Sequence, residues 1–137
     1  MATINATVSI NCGAMTYPIN INKTMVMKKL GLSTGLENTD GLSSKKFVSV
    51  SYVKIIESDD STASKASKVY IRNTGSSKSD YFYVAINASA AAADTAETIG
   101  RLYGGDWMLI PYEGAIDIGV APSTVEPMTL EYCMFYE

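Results

Sequence analysis

The N-terminal segment carries the pattern that most restricts the fold of this chain. Apolar residues occupy every second position from Ala2 to Cys12, and threonine, asparagine and serine fill the positions between them. A period of two places the apolar side chains on one face of a β-strand and the polar side chains on the other. The chain is therefore predicted to begin with an amphipathic strand.

Further strand patterns follow along the chain, separated by polar or glycine-containing turns. They cover Phe47–Glu57, Lys68–Asn73, Asp80–Asn87, Ile99–Tyr103, Asp106–Pro111, Ala115–Val120 and Met128–Tyr136. The turn signal at Thr74–Ser77 predicts a hairpin that pairs the second and third of these segments. The glycine-, serine- and threonine-rich residues 31–46 are interpreted as a surface excursion, and residues 89–98 as a loop.

The length and composition favour one folded domain. The chain has 137 residues, of which 47% are hydrophobic and 18% are charged, a balance that argues against intrinsic disorder. Regularly spaced strands without intervening helices are typical of a β-sandwich or a jelly roll. We therefore predict an all-β, single-domain sandwich or jelly-roll-like fold over residues 1–137, with about eight or nine strands.

The absence of particular residue types excludes several classes of function. The chain has no histidine, which removes the Ser-His, Cys-His and His-metal chemistries. A net charge of −3 provides no basic field for nucleic acid, and no apolar stretch approaches the length of a membrane helix. We expect no enzymatic activity, no cofactor or metal, and no nucleic-acid or membrane partner.

The two cysteines, Cys12 and Cys133, lie near opposite ends of the chain. They are compatible with a bridge between terminal strands or with two buried thiols. The first residues lack the basic and apolar regions of a secretion signal, which favours an unprocessed intracellular product. Buried thiols are the preferred interpretation, because intracellular thiols are kept reduced.

A succession of motifs in the second half is similar to one known family. In order, these are Val69–Asn73 followed by Thr74-Gly75, Tyr81–Ile86, Ile99–Trp107, Leu109–Tyr112, Ile116–Pro122 and Leu130–Phe135. Together they resemble small structural proteins of tailed bacteriophage virions, in particular capsid decoration or cement proteins. The resemblance begins at Lys68 and covers about half of the chain.

The resemblance implies a β-sandwich on the surface of a capsid, made in the host cytoplasm and bound to the major capsid protein, often as a homotrimer. It brings no catalytic residues. The alternatives are a tail or fibre accessory protein and a carbohydrate-binding β-sandwich module, in which the tyrosines would stack on sugars.

A binding protein of this kind needs an adhesive surface, which aromatic and methionine side chains supply well. The N-terminal residues 1–13 are either an internal core strand or an arm that reaches a neighbouring subunit. Trp107 is predicted to be a core residue. The candidate interface residues are Ile4, Val8, Ile10, Met25, Met27 and Tyr112.

Overall fold

The computed structural model describes residues 3–14, 16–28, 35–36, 38–60, 62–63, 65, 67–87 and 97–137. These residues form eleven β-strands in three antiparallel sheets. The strands are β1 (Asn5–Cys12), β2 (Ile19–Val26), β3 (Asn38–Thr39), β4 (Ser43–Phe47), β5 (Val53–Ile56), β6 (Ser67–Asn73), β7 (Tyr81–Ile86), β8 (Thr98–Tyr103), β9 (Trp107–Tyr112), β10 (Ile118–Pro122) and β11 (Met128–Tyr136). The predicted all-β sandwich is confirmed, with slightly more strands than expected.

Two of the sheets face each other and form the sandwich. The four-stranded sheet has the order β5-β10-β7-β8, and the five-stranded sheet has the order β3-β11-β6-β9 with β4 also paired to β11. Alternate residues of both sheets form one core cluster, in which Val69, Ile71, Phe82, Ile118 and Leu130 are completely buried. The alternation in the sequence thus places one face of each strand between the two layers.

Aromatic packing and a buried amide join the two layers. The rings of Phe47 in β4 and Phe82 in β7 meet edge to face, with their centroids 5.2 Å apart. Asn73, at the end of β6, is the one buried polar residue in the described core. Its side-chain Nδ2 donates to the Leu102 carbonyl of β8 at 3.0 Å, and its Oδ1 accepts from the Gly75 amide at 3.0 Å. This side chain therefore fixes the five-stranded layer to the four-stranded one.

The Gly104–Gly105 turn carries the chain from β8 in one sheet to β9 in the other. Gly105 has a φ of +89°, and the Gly105 amide donates to the Asn73 carbonyl at 3.0 Å. A side chain at Gly104 would meet the backbone of Ser77 within 2.5–2.7 Å. The two glycines are required because one provides a left-handed backbone and the other a close approach.

The predicted hairpin between Lys68–Asn73 and Asp80–Asn87 is wrong. β6 pairs with β11 and β9, whereas β7 lies in the opposite sheet between β10 and β8. Seven residues, 74–80, separate the two strands, which is longer than the usual two to five residues of a hairpin loop. The buried Asn73 at the start of this connection directs the chain across the sandwich instead.

The prediction of one strand over Phe47–Glu57 is also wrong. β4 ends at Phe47 and β5 begins at Val53, and in between Val48 and Val50 are exposed. The chain passes here from the five-stranded to the four-stranded sheet. Because the chain changes sheet here, the segment predicted as one strand forms two. The excursion predicted at 31–46 contains β3 and part of β4, and most of the loop predicted at 89–98 lies outside the described residues.

The third sheet consists of β1 and β2 alone. They pair antiparallel along their whole lengths, from Asn5 opposite Val26 to Cys12 opposite Ile19. No other described strand pairs with either of them. The N-terminal strand is thus not a central strand of the sandwich, and it belongs to a hairpin that extends past residue 13, the end of the predicted arm. Residues 5–26 are called the N-terminal hairpin below.

Candidate interaction surfaces

One face of the N-terminal hairpin is apolar. The register places Ala6 opposite Met25, Ile10 opposite Ile21, and Cys12 opposite Ile19. Paired residues of an antiparallel ladder point to the same side, so these side chains and Val8 form one apolar strip. Lys23, opposite Val8, is the only charged residue in it. Ile10 is 50% exposed and Met25 is 44% exposed. This strip is called the apolar hairpin face.

The opposite face of the hairpin is almost entirely polar. Thr7 lies opposite Thr24, and their hydroxyls share a hydrogen bond of 2.8 Å. Serine and asparagine occupy the next positions, with Ser9 opposite Asn22 and Asn11 opposite Asn20. The first acidic residue of the chain is Glu37. The hairpin therefore offers one apolar face and one uncharged polar face, with no carboxylate on either.

Two of the candidate interface residues lie at the base of the hairpin. The Met27 amide donates to the Ile4 carbonyl at 3.0 Å, and the Leu36 amide donates to the Met27 carbonyl at 2.5 Å. Ile4 is half-buried, whereas Met27 and Leu36 are buried. The backbone thus continues the hairpin ladder into its base, and Met27, at 3% exposure, has almost no surface accessible to a partner.

Tyr112 is the other candidate that does not lie at the surface. It is buried in the sandwich core, and its single hydroxyl proton is shared between the carbonyls of Ile116 at 2.9 Å and Glu57 at 3.2 Å. Burial raises the pKa of Tyr112 to about 12, so the phenol stays neutral. Its interface assignment is corrected to a core role, because its position on β9 faces the opposite sheet.

Val8, Ile10 and Met25 are the candidates that the structure brings together. Val8 is half-buried, and the other two are exposed on the same apolar hairpin face. Ile19 and Ile21 join them there, although sequence reasoning did not single these two residues out. The signal was present in the sequence, because Ile19 and Ile21 alternate with Asn20 and Asn22 as the residues of the first strand do.

An aromatic cluster covers the outer side of β7 and β8. The guanidinium of Arg101 lies 4.8 Å from the ring centroid of Tyr81 and 5.3 Å from that of Tyr83, distances typical of cation–π contacts. The two tyrosine hydroxyls share a hydrogen bond of 2.9 Å. A hydrogen bond to Tyr103 raises the pKa of Arg101, and the hydrogen bond to Tyr83 raises the pKa of Tyr81.

On the opposite side of the molecule, Trp107 lies on the outer face of the five-stranded sheet. It is 50% exposed, so the prediction of a core tryptophan is wrong. Its position on β9 is opposite Arg72 of β6, and the next outward residue of β6 is Tyr70. The rings of Tyr70 and Trp107 lie 6.4 Å apart with an angle of 36° between their planes. Together with Arg72 and Gly105 they line a shallow groove, which is called the tryptophan groove.

The described residues contain no group of three or more histidine, cysteine or acidic side chains placed to hold a metal ion. Within the same part of the chain, no helix has the length and hydropathy to cross a membrane. Cys12 and Cys133 are both free thiols, with Cys133 buried and Cys12 half-buried on the hairpin. The Cys133 thiol shares a hydrogen bond of 2.9 Å with the Thr39 hydroxyl.

Comparisons with protein-family models, with curated proteins and with solved structures found no match to this chain.

Proposed function

We propose that this chain is a non-catalytic structural protein of a bacteriophage virion, a capsid decoration protein that attaches to the major capsid protein through its N-terminal hairpin. The observation that carries the proposal is the exposed apolar hairpin face on a strand pair that shares no sheet with the sandwich. The motif succession between Val69 and Phe135 supports the virion assignment.

The energetics of a two-stranded sheet favour a partner for the hairpin. A hairpin without a third strand or a covering layer is marginally stable in water. Here it exposes Ile10, Ile21 and Met25 together on one side, whereas soluble monomers seldom expose a contiguous apolar surface unless it has a function. Covering this face would stabilise the hairpin and supply binding free energy at the same time.

The outer edges of β1 and β2 offer a second mode of attachment. Each edge presents backbone amides and carbonyls that no described strand uses, and such edges can extend the sheet of another protein. Main-chain pairing of this kind depends little on side-chain identity. It suits attachment to many equivalent positions on a repeating shell.

The charge distribution is compatible with the same role. All acidic residues of the chain follow the hairpin, and Lys23 lies on its apolar face. The hairpin would therefore meet an acidic or neutral apolar surface without repulsion. In the proposed attachment this surface belongs to the shell.

The decisive experiment is co-sedimentation of the purified chain with capsids assembled without it. We expect the chain to pellet with the capsids and to raise the temperature at which they fail. Ile21→Asp should reduce binding at least about tenfold, because it places a charge on the apolar hairpin face. Asn22→Asp is the matched control, since it introduces the same charge at the next residue on the polar face and should bind normally.

Two results would reject the proposal: a wild-type chain that stays in the supernatant, or equal binding by the two variants. Size-exclusion chromatography with light scattering tests the trimer separately. If the chain is strictly monomeric in solution and on the particle, the expected trimer is wrong. The proposed attachment to the capsid does not depend on that result.

A further inference from the structure

The strongest unexplained feature outside the hairpin is the tryptophan groove. Trp107 is the single tryptophan of the chain, and half of its surface is exposed. Exposing an indole forgoes a large part of the stabilisation that its burial would give. The neighbouring Tyr70 ring extends the same aromatic surface.

Charged groups of both signs adjoin this surface. Arg72 lines the groove, and its guanidinium lies 3.8 Å from a carboxylate oxygen of Glu131 on the neighbouring strand β11. Both side chains are partly exposed, at 46% and 27%. Arg72 supplies only donors and Glu131 only acceptors, and their charges offset each other. The edge of the groove therefore provides hydrogen-bonding groups without a net charge.

The backbone holds the groove in a fixed shape. Trp107 begins the edge strand β9 directly after the Gly104–Gly105 turn, and Asn73 anchors that turn through hydrogen bonds from Gly105 and to Asp106, both 3.0 Å. A Cβ atom added at Gly105 would meet nothing within 4 Å, so this end of the groove is open to a ligand. A site on a rigid edge strand loses little conformational entropy on binding.

We infer that the tryptophan groove binds a neutral carbohydrate, with a pyranose ring stacked on Trp107 and Tyr70 and its hydroxyls paired to Arg72 and Glu131. A pyranose has an apolar C–H face and a rim of hydroxyls that both donate and accept. It matches an aromatic surface beside one donor and one acceptor. An anionic ligand fits less well, because Glu131 already offsets the charge of Arg72 and leaves the groove without a net positive charge.

The size of the groove favours a small ligand over a protein. Two partly exposed aromatic rings present on the order of 200 Å², against about 800 Å² per partner in a standard protein interface. The outward residue of β11 opposite Arg72 is the polar Glu131, and Leu109, the outward residue of β9 opposite Tyr70, is aliphatic and half-buried. The aromatic surface thus has the dimensions of one or two sugar rings. This inference is independent of the proposed role of the hairpin.

Binding is measured by tryptophan fluorescence. Because Trp107 is the single tryptophan of the chain, this signal reports on the groove alone. The full chain is titrated with cellohexaose, chitohexaose and an α-mannose hexasaccharide, and with a heparin hexasaccharide as the anionic probe. We expect a saturable change in emission with at least one neutral probe, with a dissociation constant of about 1 mM or lower. Tyr70→Ala, which keeps the reporter, should weaken binding about tenfold.

Tyr17→Ala is the matched control. Tyr17 is an exposed tyrosine between the hairpin strands, far along the chain from the groove. This variant should therefore bind as the wild type does. Trp107→Ala is measured by calorimetry and should abolish binding, while its thermal melt shows that it is folded. The inference is overturned if no neutral probe binds, if only heparin binds, or if Tyr70→Ala binds as tightly as the wild type.

Discussion

The N-terminal hairpin and the sandwich are built from the same kind of amphipathic strand, yet they use it in opposite ways. In the sandwich the apolar side chains of two sheets face each other, and Ile71, Phe82 and Leu130 are completely buried. In the hairpin the apolar side chains lie on one face of a two-stranded sheet, and Ile10, Ile21 and Met25 are exposed.

This difference distinguishes strands that stabilise the fold of their own chain from strands whose apolar face is free to bind another protein. A strand stabilises its own chain only if a second layer covers its apolar face, because free energy comes from the apolar surface removed from water. The sandwich supplies that second layer itself. The hairpin lacks one within the described residues, and in the proposed function another protein covers its apolar face.

The largest expected effect is in the sandwich core. Phe82→Ala should lower the free energy of unfolding by about 3–5 kcal/mol, because Phe82 is completely buried and contacts Phe47 of the opposite sheet. Urea denaturation followed by circular dichroism measures this loss. A loss below about 1 kcal/mol would show that the two sheets do not pack as described.

Asn73→Ala should have the next largest effect. It removes the amide that donates to the Leu102 carbonyl and accepts from the Gly75 amide, and leaving buried polar partners unsatisfied costs about 1–3 kcal/mol. Asn73→Asp keeps the acceptor for the Gly75 amide but places a carboxylate against the Leu102 carbonyl, so it should destabilise the fold at least as much as Asn73→Ala. Unchanged unfolding of both variants would contradict the link between the layers.

Trp107→Ala should have a smaller effect on stability, about 1 kcal/mol in the free energy of unfolding, because only half of the side chain is buried. The core position predicted from the sequence would require about 3–5 kcal/mol. The same denaturation experiment therefore distinguishes an exposed indole from a buried one.

The hairpin should have the smallest effect on the stability of the rest of the chain. Removal of residues 1–26 should leave one cooperative melt, and Ile21→Ser should change the free energy of unfolding by less than about 0.5 kcal/mol. Differential scanning calorimetry checks both. If the truncated chain fails to fold, the hairpin is part of the cooperative core and the distinction between the two regions is lost.

The sequence correctly predicted the features that depend only on the alternation of apolar and polar side chains along a strand. Alternation predicted the strands and the all-β class, and it identified Val8 and Ile10 as members of one apolar face. It did not predict which strands pair, because a period of two is the same in either sheet. Strands β6 and β7 show this, since the long connection after Asn73 sends them to opposite layers.

Burial was harder to predict for single aromatic residues. Trp107 and Tyr112 are the two ends of one edge strand, and both carry large aromatic side chains. The odd separation places them on opposite faces of the sheet, so one is exposed and the other is in the core. The sequence shows this parity but does not say which face points inward, because that depends on the register with β6.

The most direct test of the division between hairpin and sandwich is hydrogen–deuterium exchange of the backbone amides, measured for the free chain and for the chain bound to capsids. The account predicts fast exchange in β1 and β2 of the free chain, strong protection of both strands on the capsid, and slow exchange in β6 and β11 in both states. Equal protection of the hairpin and of β6 in the free chain, or a hairpin that stays unprotected on the capsid, would contradict it.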